Sequence, residues 1–429
     1  MAARRLQRAL LLLVLLVWPR PVVAQDPPAD EPRAREDPAF TLRTSLKSSV
    51  LLSRAPDDPA LFPERTTAVS FWRLRFEPEL RLGPRASGAL AYEQRLRVAP
   101  QMPGLSGAAI LPLEAPAPYR LAQLNWAIST APGYSWYHEV DRLYVAVDAD
   151  RIDLTLGRQA IGWGRGVLFG AVDILSPFSP LEADREWRRG VDAVRADVKL
   201  ADRVSLDMVS AFGEAIDSSV FAGRLRGYAG RLDVEVVGGW RARDVFAGAT
   251  SSAVVGDAEL HGELAVFRLP EALPPPLGNA AEDDDPLVVK AVFGGSYQFA
   301  LGHGLMTSAE YHYSGFGARQ ASDVLRLLAD PAYRERYLRG DTQILLRHAV
   351  AVLGSYEVSP ELALAGQWLQ NPQDGSGVVS PSATFTIGDK LSVIVSAYVP
   401  YGAAPIGLTL RSEYGTTSRS LLLQLRIHV

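Results

Sequence analysis

Acid–base or metal chemistry would normally announce itself through histidine. The chain has six: His138, His261, His303, His312, His348 and His428. No two sit four residues apart as on one helical face, and there is no His-Glu-x-x-His, so no zinc site is written in the sequence. Cysteine is absent, which excludes a thiolate metal site, a cysteine nucleophile, a disulfide framework and a lipidated cysteine. There is no Gly-x-Ser-x-Gly elbow and no Walker loop. Gly162-Trp163-Gly164-Arg165-Gly166 is rich in glycine but lacks the strand-to-helix setting of a phosphate cradle. A hydrolase at a molecular rim would need a nucleophile and a base, and no pair stands out. The segment 269–286, with Pro274-Pro275-Pro276 and Asp283-Asp284-Asp285, lacks regular calcium-ligand spacing and reads as an exposed acidic loop. The expectation is a protein without catalysis, metal or cofactor.

Charge is concentrated in two other places. Arg73, Arg75, Glu77, Glu79 and Arg81 recur at every second position, as do Glu93, Arg95 and Arg97. Both signs are mixed. Such a row serves either as an electrostatic filter for solutes or as ordinary wall charge, locally neutralised, that hydrates a surface. The second concentration lies within 157–191. Trp163, Leu168, Phe169, Ile174, Leu175 and Phe178 stand beside Asp173, Asp184, Arg185, Glu186, Arg188 and Arg189. A connection this apolar must pack on something.

The elements that would position these residues are strands. Residues 66–82 place Ala68, Ser70, Trp72, Leu74, Phe76, Leu80 and Leu82 on one face and the charged row on the other, the period-two pattern of a half-apolar strand. Eighteen such segments occur: 40–51, 66–82, 89–98, 138–148, 151–160, 190–200, 203–212, 220–229, 231–240, 244–254, 257–268, 287–300, 304–314, 342–356, 361–370, 376–386, 389–400 and 418–429. Most reach the length of a tilted membrane strand, roughly 9–11 residues. Their connections alternate between tight turns and mostly longer loops, as in outer-membrane barrels. Trp72, Phe267, Trp368 and Tyr398 near long-loop ends, and Tyr297, Phe299 and Tyr356 near the turns, suit two aromatic girdles. Within 321–338, Asp330 and Pro331 mark the start of a short helix in an outside loop.

Arg4, Arg5 and Arg8 precede the apolar run Ala9–Trp18, and Val22-Val23-Ala24 offers a cleavage site. Residues 1–24 therefore read as a signal peptide and 25–38 as a disordered periplasmic lead-in. Formal charge is -4, from 44 basic and 48 acidic residues. Removing residues 1–24 takes away four arginines and leaves -8, no footprint for nucleic-acid binding.

Three segments together resemble a signature of porin-like outer-membrane proteins of Gram-negative bacteria, similar in style to alginate-export-type eighteen-stranded barrels. They are Gly157-Arg158-Gln159-Ala160-Ile161-Gly162-Trp163-Gly164, Asp173-Ile174-Leu175-Ser176-Pro177-Phe178, and Asp184-Arg185-Glu186 with Gly190-Val191-Asp192-Ala193. Segments 310–318 and 374–377 look like further landmarks. The amphipathic last strand resembles a barrel-assembly signal, although Val429 departs from the usual terminal Phe or Trp. The resemblance implies an all-β, up-and-down transmembrane barrel over 39–429 in the outer membrane. It implies passage of small or medium solutes, and as partners outer-membrane lipid, lipopolysaccharide and the barrel-assembly machinery. A selective transporter or exporter of a polymer or an apolar solute is the alternative, and a rim-located hydrolase or a non-conducting surface scaffold another. Turns are expected to face the periplasm, and loops around 113, 175, 277 and 328 the outside. Pairing positions that sum to 174 would set Arg81, Glu79 and Glu77 opposite Glu93, Arg95 and Arg97. Loop 161–189 is expected either to fold inward and constrict the pore or to lie over its mouth.

Overall fold

Period-two alternation carries directly into the wall of the molecule. The computed structural model describes residues 39–99, 110–111, 117–274 and 287–429. The signal segment, the lead-in, and the tips of the loops around 113 and 277 lie outside the described residues. The strands are β1 (Phe40–Arg54), β2 (Thr66–Arg81), β3 (Ala86–Val98), β4 (Asn125–Ala131), β5 (Tyr134–Ala149), β6 (Ile152–Gln159), β7 (Val191–Ala201), β8 (Val204–Ala211), β9 (Val220–Ala229) and β10 (Leu232–Arg241). They continue with β11 (Asp244–Val255), β12 (Ala258–Arg268), β13 (Leu287–Phe299), β14 (Leu305–Ser314), β15 (His348–Ser359), β16 (Leu362–Gln370), β17 (Gly377–Ile387), β18 (Leu391–Tyr401) and β19 (Arg419–His428).

Every strand pair is antiparallel, and β1 pairs with both β2 and β19, so the sheet closes. Eighteen strands form the ring. The remaining one, β4, is short and pairs with residues 134–139 of β5, above the end of β6. The sequence pattern did not reveal it, because it is only seven residues long and its register shifts between Ala127 and Ser129. Closure pairs the backbone groups along the whole wall, the condition for crossing hydrocarbon with strands.

The two faces of that wall differ as a membrane requires. On β12 and β13, Leu264 and Phe293 point outward at 51% and 66% exposure, while His261, Glu263 and Phe267 point inward and are buried. Outward leucines and valines recur on nearly every strand. Covering them with acyl chains is favourable by ~25 cal/mol per Å². The girdles need one correction. Trp368, Tyr297 and Phe299 do face outward, but Phe267 and Tyr398 are buried within the barrel. Their positions along the strand suited a girdle, but their parity put them on the inner face. Trp240 and Trp126 are exposed on the wall, and so is Tyr401, whose hydroxyl accepts from Trp368 Nε1 at 2.8 Å.

The β2–β3 register also departs from the expected one. Partners sum to 168: Arg75 faces Glu93, Arg73 faces Arg95, and Arg81 faces Ser87. The turn decides this. Gly83 adopts φ +91°, a conformation that glycine reaches freely, and Pro84 follows. Leu82 N–H donates to the carbonyl of Ala86 at 2.8 Å. The hairpin therefore centres on Pro84 and not Ser87. A Gly-Pro turn outweighs three cross-strand charge pairs worth a few tenths of a kcal/mol to about 1 kcal/mol each.

In the connection between β14 and β15, α1 (Val324–Ala329) and α2 (Pro331–Arg339) form the broken helix. The Asp330 carboxylate accepts from Tyr333 N–H at 2.9 Å, Pro331 opens α2, and Gly340 closes it at φ +85°. Val324, Leu327 and Tyr333 pack with Ala318, Leu346 and Leu410 in a small apolar cluster. The larger cluster lies inside the barrel, where residues of loop 160–190 meet Val209, Val237, Phe246 and Val292 of the wall.

Candidate functional site

Loop 160–190 leaves β6 and returns to β7, neighbours in the ring, yet its contacts reach walls far from both. Gly164 turns at φ +115° beside the Glu263 carboxylate, and a side chain on Gly166 would strike the Phe169 carbonyl. These two glycines let the backbone coil tightly enough for its amides to converge. The Glu263 carboxylate accepts from the N–H groups of Gly166 at 2.8 Å, Ala171 at 2.6 Å and Val172 at 3.2 Å, and from Arg165 N–H. Glu310 accepts from Leu168 at 2.9 Å and Phe169 at 3.1 Å, and from Val167. His261 Nε2 lies 2.9 Å from the same Glu310 carboxylate, and Phe169 stacks on His312 with ring centroids 4.9 Å apart. Two buried wall carboxylates thus satisfy one coil of loop backbone that has no secondary structure to satisfy it.

Farther along, the same loop meets the opposite wall. Asp184 accepts from Lys47 of β1 at 2.6 Å and lies 3.5 Å from Arg73 of β2. Glu186 pairs with Lys47 at 2.7 Å. Trp187 lies under three cations, with Lys47 Nζ at 3.6 Å and the Arg75 and Arg73 guanidinium carbons at 5.0 and 5.6 Å from its centroid. In the ring of eighteen, β2 and β12 are nine places apart in either direction. A loop bound to both crosses the lumen.

The remaining loop residues hold the crossing in shape. Trp163 Nε1 donates to Asp207 of β8 at 3.1 Å. Arg188 pairs with Asp173 and lies over the Phe178 ring at 4.9 Å. The Phe178 carbonyl accepts from Gln343 at 2.9 Å, and Arg185 donates to the Ser179 carbonyl at 3.2 Å. Arg189 is half-buried. Burial, and then Arg120 and Arg95, push its pKa down to about 10. Burial raises the pKa of Asp173 despite Arg188. At Asp184 burial acts the same way but is overcome by Arg73 and Lys47, so its pKa is lowered.

The eight charged residues of β2 and β3 do not form one uniform row. Arg75, Arg73 and Arg95 converge on Glu93, Arg73 at 3.7 Å and Arg95 at 2.8 Å, and Arg75 also reaches Asp141 at 3.0 Å. Glu77 pairs with Arg75 at 2.9 Å. Glu79 lies 3.4 Å from Arg43, Arg81 is exposed near the turn, and Arg97 is half-buried opposite Phe71. Sequence reasoning missed several members of the network. Arg120, from a segment that also folds inward, pairs with Glu139 and with Asp141 at 3.2 Å and donates to the Gly190 carbonyl at 2.9 Å. Lys47, Asp207, Glu263 and Glu310 were missed too. Each sits on the inner face of its strand, and that parity was the available signal.

Long connections from the rest of the barrel close over the loop. Arg336 of α2 forms a bidentate pair with Asp244 at 2.7 and 2.9 Å, and Arg339 pairs with Asp341 at 2.6 Å. Pro177 sits against Gly340, so the helical insert rests on the crossing loop. Glu413, between β18 and β19, accepts from Leu345 N–H at 2.8 Å, Leu346 N–H at 3.3 Å and Asn371 Nδ2 at 2.5 Å. Burial, aided by the nearby Asp374, outweighs these bonds and pushes its pKa up to about 7. A raised carboxylate pKa stabilises the fold at low pH, and that stability is lost as pH rises through about 7. Limited proteolysis of these connections should therefore be slower at pH 5.5 than at pH 8. The difference should vanish in Glu413→Gln, and its persistence there would assign the titration elsewhere.

No family model matches the chain, and no curated protein matches it. Solved structures do. OccAB1 of Acinetobacter baumannii aligns at a TM-score of 0.52 and 9% identity, over 91% of this chain and 96% of that one. A BenF-like porin from Pseudomonas fluorescens Pf-5 gives 0.49 and 9%, over 91% and 98%. Salmonella typhi OmpF, in complex with daunomycin, gives 0.46 and 11%, over 91% and 97%. The fold shared with OccAB1 is the closed, antiparallel, up-and-down barrel of eighteen strands. The finer likeness to alginate-export-type barrels is not borne out by these structures.

Proposed function

We propose that this protein is a channel in the outer membrane of a Gram-negative bacterium, through which small or medium solutes diffuse. Loop 161–189 acts as its constriction, and the charged walls of β2 and β3 form part of its lining. The observation that carries this reading is the loop fastened to walls nine strands apart. Barrels of this strand number enclose an aqueous lumen unless something fills it, and a loop held across that lumen by buried carboxylates sets its width. Outer-membrane lipid and lipopolysaccharide surround the barrel, and the assembly machinery reads its terminal strand. The protein supplies shape and charge, with no reaction and no cofactor. Most of the lining arginines have acidic partners inside the barrel, which argues against a bare basic track for an anionic polymer and hence against the alginate-export reading. Purified protein in planar bilayers should give discrete conductance steps. Bilayers that stay silent with correctly folded, heat-modifiable protein would overturn the channel.

A further inference from the structure

We infer that the outer wall at the β19–β1 seam carries a binding site for a phosphorylated lipid headgroup of the outer leaflet. Arg54 and Arg419 are cross-strand partners on the last rung of this pair. Both are exposed and share the outward face with Leu52, Leu421 and Leu423. Like charges directly opposite each other destabilise a strand pair. Elsewhere the wall resolves the same problem internally: Arg73 and Arg95 are also partners, and Glu93 sits between them. At Arg54 and Arg419 the chain supplies no such carboxylate among the described residues. Arg65 lines the same groove. Its contact is Asp57 at 3.2 Å, both side chains being well exposed.

The surroundings specify what the missing anion is attached to. One rung toward the membrane interior, Leu52 faces Leu421, flanked by the small residues Ala68 and Ala397. Leu52, Leu421 and Val399 line an open groove that leads up to the arginines. Guanidinium groups grip phosphate oxygens in a bidentate manner, while a hydrocarbon chain attached to that phosphate would lie along the leucines. A free inorganic ion would leave the apolar half of the groove unexplained. This end of the barrel carries the long connections, which places the site in the outer leaflet. That assignment rests on the outer-membrane reading above.

The experiment uses the full protein in neutral detergent, with bisphosphorylated lipid A, dephosphorylated lipid A or inorganic phosphate as probes. Arg54→Gln/Arg419→Gln is compared with wild type, and Arg85→Gln, at the opposite end, is the control. Native mass spectrometry should show bisphosphorylated lipid A bound at least tenfold more weakly by the double variant and unchanged in the control. Thermal unfolding should reverse order. Without lipid the double variant melts higher, because the repulsion is gone. With bisphosphorylated lipid A the wild type melts higher. Equal lipid binding by wild type and double variant would overturn the site. An equal response to inorganic phosphate, or to lipid A without phosphate, would overturn the phosphorylated-lipid assignment. Membrane fractionation separates this from the parent reading: protein absent from the outer membrane defeats both, whereas protein found there without lipid selectivity defeats the lipid site alone.

Discussion

Single-channel conductance should rise several-fold when residues 166–180 are replaced by a short Gly–Ser bridge. These residues contribute Leu168, Phe169, Ala171, Val172, Ile174 and Leu175, each no more than 4% exposed, to the apolar mass inside the barrel. They also supply most of the amides that Glu263 and Glu310 hold. Without them the lumen loses the bridge between β12 and β2, while the strand ladder, which never includes this loop, keeps its pairing. Heat-modifiable migration on gels would verify that the barrel is intact. Unchanged conductance in a barrel so verified would remove the constriction role and leave the loop as interior packing only.

Glu263→Ala should release the loop while leaving the wall closed. One carboxylate accepts from the amides of Arg165, Gly166, Ala171 and Val172, and no neighbouring side chain is placed to accept from all four. Each buried donor left without a partner costs about 1–3 kcal/mol, so even a partial loss amounts to a hundredfold change in the docked population. Hydrogen exchange at 165–172 should accelerate by about that factor. Channel recordings should become noisier as the loop samples undocked positions. Glu263→Gln retains one carbonyl acceptor and should fall between wild type and alanine. Exchange rates at these amides that stay the same in Glu263→Ala would show that the surrounding apolar packing, and not the carboxylate, fixes the loop.

The wall was legible because alternation is local: each of the eighteen expected segments corresponds to a ring strand, displaced by a few residues at its ends. Register was not legible in the same way. Charge pairing favoured one alignment of β2 and β3, but the Gly83-Pro84 turn imposed another, and backbone geometry at a tight turn outweighs weak side-chain pairs. For loop 161–189 the sequence revealed apolar content that had to be buried, together with the glycines that permit the coil. It did not reveal the partners. Glu263 lies 91–98 and Glu310 141–143 residues beyond the amides they hold, and their proximity depends on how the ring closes. Arg120 was hidden for the same reason, since nothing local marks a connection that turns inward.

The lumen-crossing loop also orders events in time. It follows β6, whereas the carboxylates that secure it belong to β12 and β14, so during synthesis it emerges well before its anchors. Such long-range contacts form late and slowly. Yet a ring sealed first would have to admit a bulky, partly apolar segment through a finished wall. The seam between β1 and β19 is therefore expected to shut around an interior already in place, with the loop as the form on which the cylinder is drawn closed. Variants that weaken the clamp would then lower the yield of assembled barrel as well as altering the passage through it.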